Sequence, residues 1–482
     1  MKKFFALILV ACIACAGLFA GGRKDVSDEK FNVLPSYTSM YMDMISYGNT
    51  VYEAVVATDQ ADSSKKCLIL INKYVNNAYD SSFQIELEGF KCWEFDENYS
   101  HYDFLKLYAL GPNEIALTVY AAYSDNRFAF FRIRDGKVVS YKSYSLKNQS
   151  AYESQRYAFN GKDTIYVAFD GQRSFKLFGW DLFLLAFDLD GNLKKSVSVF
   201  TPRNDELIGL AAFEDKVYFG IRQSFERQAI LQLTGDLEFE KCLGYKYDGS
   251  DIRFIDFKND AGNENLLVKL YMKNSDSTLV SRYSGNGDFI CSYDIDESSS
   301  DTTYNYCKSK FFDGGVLFFG QRVEYDGDSR KRLGADFITY FMDWDGNKTY
   351  EKIFARNDNL NFRNFAFVDG KYLCAGENIY TADGIGHVSY TYMIAGEGQD
   401  SNFVSIEKSD KNPFALSDEP VAAKKMEDEI RRWKAEVKVM PTEIPFWEFG
   451  YSAKIIRLPY KHVQPDSTEI TDTIPLFPFS ER

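Results

Sequence analysis

The chain has 482 residues, 45% of them hydrophobic and 16% aromatic, and a formal net charge of −14. That apolar content excludes a disordered chain, and the acidic balance argues against nucleic acid as a partner, because phosphate binding needs a dominant basic field. Eight cysteines are too sparse for a disulfide-built scaffold, and 11 prolines with 32 glycines exclude collagen-like and low-complexity classes.

Residues 1–20 have the layout of a secretory signal peptide. Lys2 and Lys3 form a basic start, Phe4 to Ala14 is an apolar run, and small residues follow. The run is shorter than the roughly 20 apolar residues of a lasting membrane span. Ala14-Cys15-Ala16 and Ala20-Gly21 both suit cleavage. Leu9-Val10-Ala11-Cys12 resembles a bacterial lipobox, so Cys12, and with a poorer preceding triplet Cys15, are candidate lipid-attachment residues. The competing reading makes both small apolar residues of a discarded peptide, and the two weigh evenly. The expected address is the periplasm or cell surface, with membrane contact only through such an anchor. Residues 21–35 read as a linker. An oxidising compartment permits a bridge such as Cys67–Cys92, although spacing alone does not select it.

From residue 36 to 408 one unit recurs: an apolar run, a tight polar turn and a second β-rich run. Clear copies turn at Asn160-Gly161, Glu214-Asp215, Asp313-Gly314 and Asp369-Gly370; weaker ones turn near Gly48, Pro112 and Gly262. A second hairpin follows each first one, at Asp135-Gly136, Asp190-Gly191, Thr234-Gly235, Asn286-Gly287, Asp345-Gly346 and Glu397-Gly398, with Asn76-Asn77 serving the first unit. Two hairpins make four strands, and four-stranded units at about 40–50 residues are the signature of a β-propeller. Counting first hairpins gives about seven blades. A β-sandwich or two successive barrels would not require this repeat. The units resemble bacterial exported β-propeller repeats at superfamily level; they lack the WD, kelch, sialidase and quinoprotein signatures, so the resemblance implies a fold and no catalytic residues.

The composition changes at residue 409. Residues 417–437 read as an amphipathic helix capped by Ser417 or Asp418, with Met426, Ile430, Trp433 and Val437 on one stripe. Six of the 11 prolines follow residue 440, so 409–482 is read as a helix plus an extended tail on the propeller.

Chemical motifs are scarce. His101, His387 and His462 have no metal-ligand spacing, and no nucleophile elbow or phosphate loop is present, so no catalytic residue, metal or cofactor is assigned. Asp188 to Asn192 and Asp343 to Asn347 are Asp-x-Asp-Gly-Asn segments that resemble calcium loops but lack the distal carboxylates; a tight hairpin demands the same residues. Sorting loops by disc face separates charge. First and third loops carry acids such as Glu114, Asp190, Asp288 and Asp345. Second loops carry Arg173, Lys176, Arg222, Arg322, Arg330, Lys331 and Arg332, beside Trp180. Turn chemistry explains the acids but not the bases. The basic residues and Trp180 are therefore candidate ligand-binding residues for an acidic protein or anionic glycan. The leading expectation is a monomeric, non-catalytic binding or scaffold propeller of the bacterial cell envelope. The alternatives are a glycan lyase or hydrolase with paired carboxylates at the axial mouth, and a structural subunit docking through the C-terminal helix.

Overall fold

The runs Ile165 to Phe169 and Leu182 to Phe187 are apolar without interruption, and every residue in them is buried. A strand that is apolar on both sides must be covered on both. The structure, a computed structural model, meets this requirement with a propeller of antiparallel sheets. It describes the strands and most of their tight turns between residues 37 and 477. Residues 1–36, 413–433, 450–455, 478–482 and most connections between second and third strands and between successive sheets lie outside the described residues.

The first blade contains β1 (Tyr37–Tyr47), β2 (Thr50–Asp59), β3 (Lys66–Val75) and β4 (Ala78–Glu88). The second contains β5 (Leu105–Gly111), β6 (Glu114–Ala121), β7 (Arg127–Arg134) and β8 (Lys137–Leu146). The third contains β9 (Ser150–Phe159), β10 (Thr164–Gln172), β11 (Asp181–Asp188) and β12 (Leu193–Val199). The fourth contains β13 (Asp205–Phe213), β14 (Lys216–Gln223), β15 (Arg227–Thr234) and β16 (Phe239–Tyr247). The fifth contains β17 (Ile252–Asn259), β18 (Asn265–Met272), β19 (Ser277–Ser284) and β20 (Phe289–Asp296). The sixth contains β21 (Thr302–Phe312), β22 (Gly315–Tyr325), β23 (Arg332–Asp343) and β24 (Lys348–Asp358). A closing sheet of three strands follows, β25 (Asn361–Val368), β26 (Lys371–Asn378) and β27 (Val388–Ile394).

Strand periodicity builds the seams. On β10, Ile165, Val167 and Phe169 join Phe128, Phe130 and Tyr144 of the second blade, while Tyr166 and Ala168 join Leu207, Val217 and Phe219 of the fourth. Further clusters link the first blade to the second, the fourth to the fifth, the fifth to the sixth, the sixth to the closing sheet, and the closing sheet to the first. Each large side chain so buried contributes about 1.5–3 kcal/mol relative to exposure. In all seven sheets the pairing of the first and second strands carries a register shift, a local bend suited to the crowded axial side.

The remaining strands form a belt on the rim. β28 (Gln399–Asp400) pairs with β24 of the sixth blade, and β29 (Ser405–Ser409) with β20 of the fifth. β30 (Lys434–Glu436) pairs with β12 of the third, β31 (Val439–Thr442) with β8 of the second, and β32 (Phe446–Phe449) with β4 of the first. All five pairings are antiparallel. The chain ends in a hairpin, β33 (Ile456–Val463) and β34 (Glu469–Phe477), with β34 against β27 of the closing sheet.

The blade count differs from the expected seven. Six sheets have four strands in meander order, and the closing sheet has three among the described residues. The turn expected at Glu397-Gly398 lies outside the described residues, and among the described ones no fourth strand pairs with β27; β28 pairs instead with β24. The cause is the segment that follows. Glu351, 4% exposed, accepts hydrogen bonds from Ser401 Oγ (2.6 Å) and the Val404 amide (3.1 Å), and Lys348 donates to the Val404 carbonyl (2.7 Å). Val404 itself is buried between the fifth and sixth blades. The helix expected over 417–437 does not hold at Lys434–Glu436, which is strand β30; residues 417–433 and Val437 lie outside the described residues.

Candidate functional site: the hairpin-turn face and a buried seam carboxyl

First and third turns gather on one face, and hydrogen bonds within a blade join them. The Asp135 amide donates to Asn113 O, the Gly235 amide to Asp215 O, and the Trp344 amide to Gly314 O, while the Glu214 amide crosses to Asn160 O of the third blade. The third turns of the third to sixth blades share one five-residue form. In the sixth blade the Asp343 amide donates to Asn347 O and the Gly346 amide to Asp343 O. Asp343 Oδ1 accepts from the Asp345 and Asn347 amides (2.9 and 2.8 Å), and Asp188 Oδ1 does the same for Asp190 and Asn192 (3.0 and 2.8 Å). Ser284 Oγ fills that role in the fifth blade. The Asp-x-Asp-Gly-Asn segments are therefore turn devices whose leading carboxylate is engaged by backbone amides. At Gly191, φ is +80° and an added Cβ would lie 2.5 Å from Phe130 of the preceding blade, so only glycine fits.

The same turns hold the seams. Tyrosine hydroxyls reach carbonyls of the next blade: Tyr52 to Pro112 O (2.8 Å), Tyr144 to Gly191 O (2.8 Å), Tyr166 to Gly235 O (3.0 Å) and Tyr293 to Trp344 O (2.9 Å). Burial, with the Asp163 charge nearby, pushes the Tyr166 hydroxyl up to about 12, so it stays a donor. Cations pair with acidic turn residues of the next blade: Arg132 with Asp190 (2.8 Å), Lys195 with Glu238 (2.6 Å), and Lys241 with Asp288 (3.6 Å). Lys408 of the belt pairs with Asp345 (3.6 Å), and Arg132 also holds Glu114 of its own blade. Several acids of the expected acidic rim are thus seam partners.

Of the buried carboxyls, two lie on the first blade. Asp43, at the β1 bulge, accepts from Lys106 Nζ (3.1 Å) and the Leu107 amide (3.0 Å), fastening the first blade to β5. Glu53 on β2 is 1% exposed and accepts from Asn72 Nδ2 (3.0 Å) and Tyr74 OH (2.9 Å). Burial pushes its carboxyl up to about 7, against the lowering effect of those two hydrogen bonds. The register aligns Glu53 with Asn72, and Asn72 with Ser82, in a polar row across β2, β3 and β4. Asn72 Oδ1 and Gln84 Nε2 are buried beside this row without a hydrogen-bond partner. Glu53 was not singled out by motif reasoning; its signal is one acid inside the apolar run Val51 to Val56. Glu351 and Asp43 give no clearer signal.

Of the sequence-derived binding residues, Arg322 lies half-buried on β22 and pairs with Asp336 of its own blade (2.7 Å). Arg222 lies half-buried on β14, and Arg332 opens β23. Arg173, Lys176, Trp180, Arg330 and Lys331 lie outside the described residues, as do Cys12, Cys15 and Cys92. Cys242 and Cys291 are free thiols. Among the described residues no group of three potential metal ligands occurs, and no helix is long and apolar enough to cross a membrane.

No protein-family model matches the chain, and no curated protein matches it. Among solved structures it is similar to an acylaminoacyl peptidase of Pyrococcus horikoshii, with TM-score 0.44 and 12% identity over 76% of this chain and 52% of that one. It is similar also to a prolyl endopeptidase structure, with TM-score 0.43 and 11% identity over 83% and 55%. A third is the WD40 domain of SCAP from fission yeast, with TM-score 0.32 and 11% identity over 75% and 91%. The chain spans about half the length of the two peptidase structures.

Proposed function

We propose that this chain is an exported, non-catalytic propeller that binds or scaffolds a partner at the bacterial cell envelope. The observation supporting this reading is the use made of the hairpin-turn face. Its tyrosine, aspartate and glutamate contacts run from blade to blade and hold the ring. A face committed to its own seams leaves ligand binding to the opposite loops, and loops on a rigid scaffold are where binding residues concentrate. Those loops carry Arg173, Lys176, Trp180, Arg330 and Lys331, with Arg332 at the start of β23. Their chemistry suits an acidic protein or an anionic glycan. Arg322 contributes less to such a field, because Asp336 balances it.

The test is capture of acidic glycans and envelope proteins by the purified protein and by an Arg330→Glu, Lys331→Glu, Arg332→Glu variant. A loss of about tenfold or more in retained ligand is expected from reversing three contacting charges. Equal retention would remove the basic loops from the proposal. Shortened glycan products in the same incubations would shift the assignment to the cleavage reading. Glu53, the carboxyl raised to about 7, gives that reading no support, since it is buried in a seam. Intact-mass measurement of the mature protein tests the proposed export and the anchoring at Cys12 or Cys15.

A further inference from the structure

Every pair of neighbouring sheets in the ring is joined by main chain except one. The chain enters the first blade at β1 and leaves the closing sheet at β27, so no connector between consecutive strands crosses the seam between them. Among the described residues that seam holds a small apolar cluster, Met44 and Val51 against Ala366, Val368 and Leu373. Glu53 and the partnerless Asn72 Oδ1 and Gln84 Nε2 belong to the first blade's strands, and a buried polar atom without a partner costs about 1–3 kcal/mol.

The belt travels against the chain's own order around the ring, from the sixth blade to the fifth, then the third, second and first. Its last step runs from β32, paired to β4 of the first blade, to the hairpin whose β34 lies against β27. β32 and β34 thus flank the one seam that no connector between propeller strands crosses. The belt's antiparallel additions also cover the outer edges of β4, β8, β12, β20 and β24, which would otherwise offer unpaired backbone to other strands.

We propose that the C-terminal belt is a closure strap: β32 on the first blade and β34 on the closing sheet belong to one stretch of chain that holds the two sheets together, and severing the chain between them opens the ring at that seam. The device joins by main chain the one pair of neighbouring sheets that consecutive propeller strands leave unjoined. It is independent of the ligand reading above.

The experiment uses the full chain with a protease recognition sequence placed between β32 and β33, folded first and then cut. Amide exchange is followed by mass spectrometry before and after cutting. Exchange in β1, β2, β25 and β26 is expected to quicken by about tenfold or more, while β13 to β16 of the fourth blade keep their protection. Unchanged exchange at the seam would overturn the proposal. An equal rise in the fourth blade would overturn it too, since the strap would then support the whole ring rather than one seam. A chain ended after Phe449 gives the same contrast where the inserted sequence hinders folding.

Discussion

The seam between the second and third blades and the seam between the closing sheet and the first blade do the same job with opposite materials. The former gathers Phe128, Phe130, Tyr144, Phe169, Phe183 and Phe187, with ring pairs such as Phe128–Phe187 at 5.3 Å in an edge-on arrangement. Tyr144 and Arg132 then tie it to the turn at Asp190-Gly191. Among the described residues the latter has a sparser apolar cluster, together with a carboxyl that must stay protonated to be comfortable. Apolar cover and directed hydrogen bonds let a seam hold itself.

The largest effect expected from breaking the strong seam is that of Phe187→Ala. Phe187 is 1% exposed and touches Phe128, Phe130 and Tyr144. The loss should be about 3–5 kcal/mol, read from the shift of the denaturant midpoint, because an aromatic cavity in a rigid interior collapses only in part. A loss below about 1 kcal/mol would mean that the blades do not rely on this interface.

At the weak seam the expected sign is reversed. The folded Glu53 carboxyl titrates near 7 and the unfolded one near 4.5, so between these values the native state binds a proton that the unfolded chain releases. Its contribution to stability is therefore full below the lower value and lost as pH rises through the upper one. Glu53→Gln keeps the shape and removes the charge. It should gain up to about 3 kcal/mol over the parent at pH 8 and little at pH 4, measured as paired melts across that range. A constant difference between the two proteins at all pH values would show that Glu53 is not the titrating group.

Much of this ring was legible because its rules are local. Gly48, Pro112, Asp135-Gly136, Asn160-Gly161 and Asp345-Gly346 fall at the hairpins where turn chemistry places them. The uninterrupted run Leu182 to Phe187 likewise signals a strand covered on both sides. The seventh unit was misread because its period continues through Glu397-Gly398, whereas the path of the following segment is set by Glu351, nearly fifty residues away. The belt was illegible for the same reason. Two to five residues of backbone pairing per blade leave no periodic pattern, and helical spacing continued to Val437 across a strand that exists only because β12 offers an edge. Tertiary pairing overrides local propensity at such places. Of the candidate site, the turn acids were visible, but their service to the neighbouring blade was not, since a tie such as Arg132–Asp190 joins residues 58 apart.

A smaller effect sharpens the role of the turn ties. Tyr166→Phe removes one hydroxyl and leaves its ring in place between the third and fourth blades. The cost should be about 1 kcal/mol, typical of a single hydrogen bond with its acceptor left behind. A similar cost is expected at Tyr144 and Tyr293, and a null result at all three would make the hydroxyls incidental to the seams.

The smallest effect separates turn chemistry from cation binding. Asp343 shapes the turn that presents the Trp344 carbonyl to Tyr293, and Ser284 shapes the equivalent turn of the fifth blade with a hydroxyl. The molecule thus already contains both solutions. Asp343→Ser should cost less than about 0.5 kcal/mol, whereas Asp343→Ala, which leaves two amides without their acceptor, should cost about 1 kcal/mol. Calcium should shift the melting temperature of neither variant nor of the parent. A calcium-dependent rise in the parent that Asp343→Ser abolishes would instead make the carboxylate a ligand, and its place in the turn secondary.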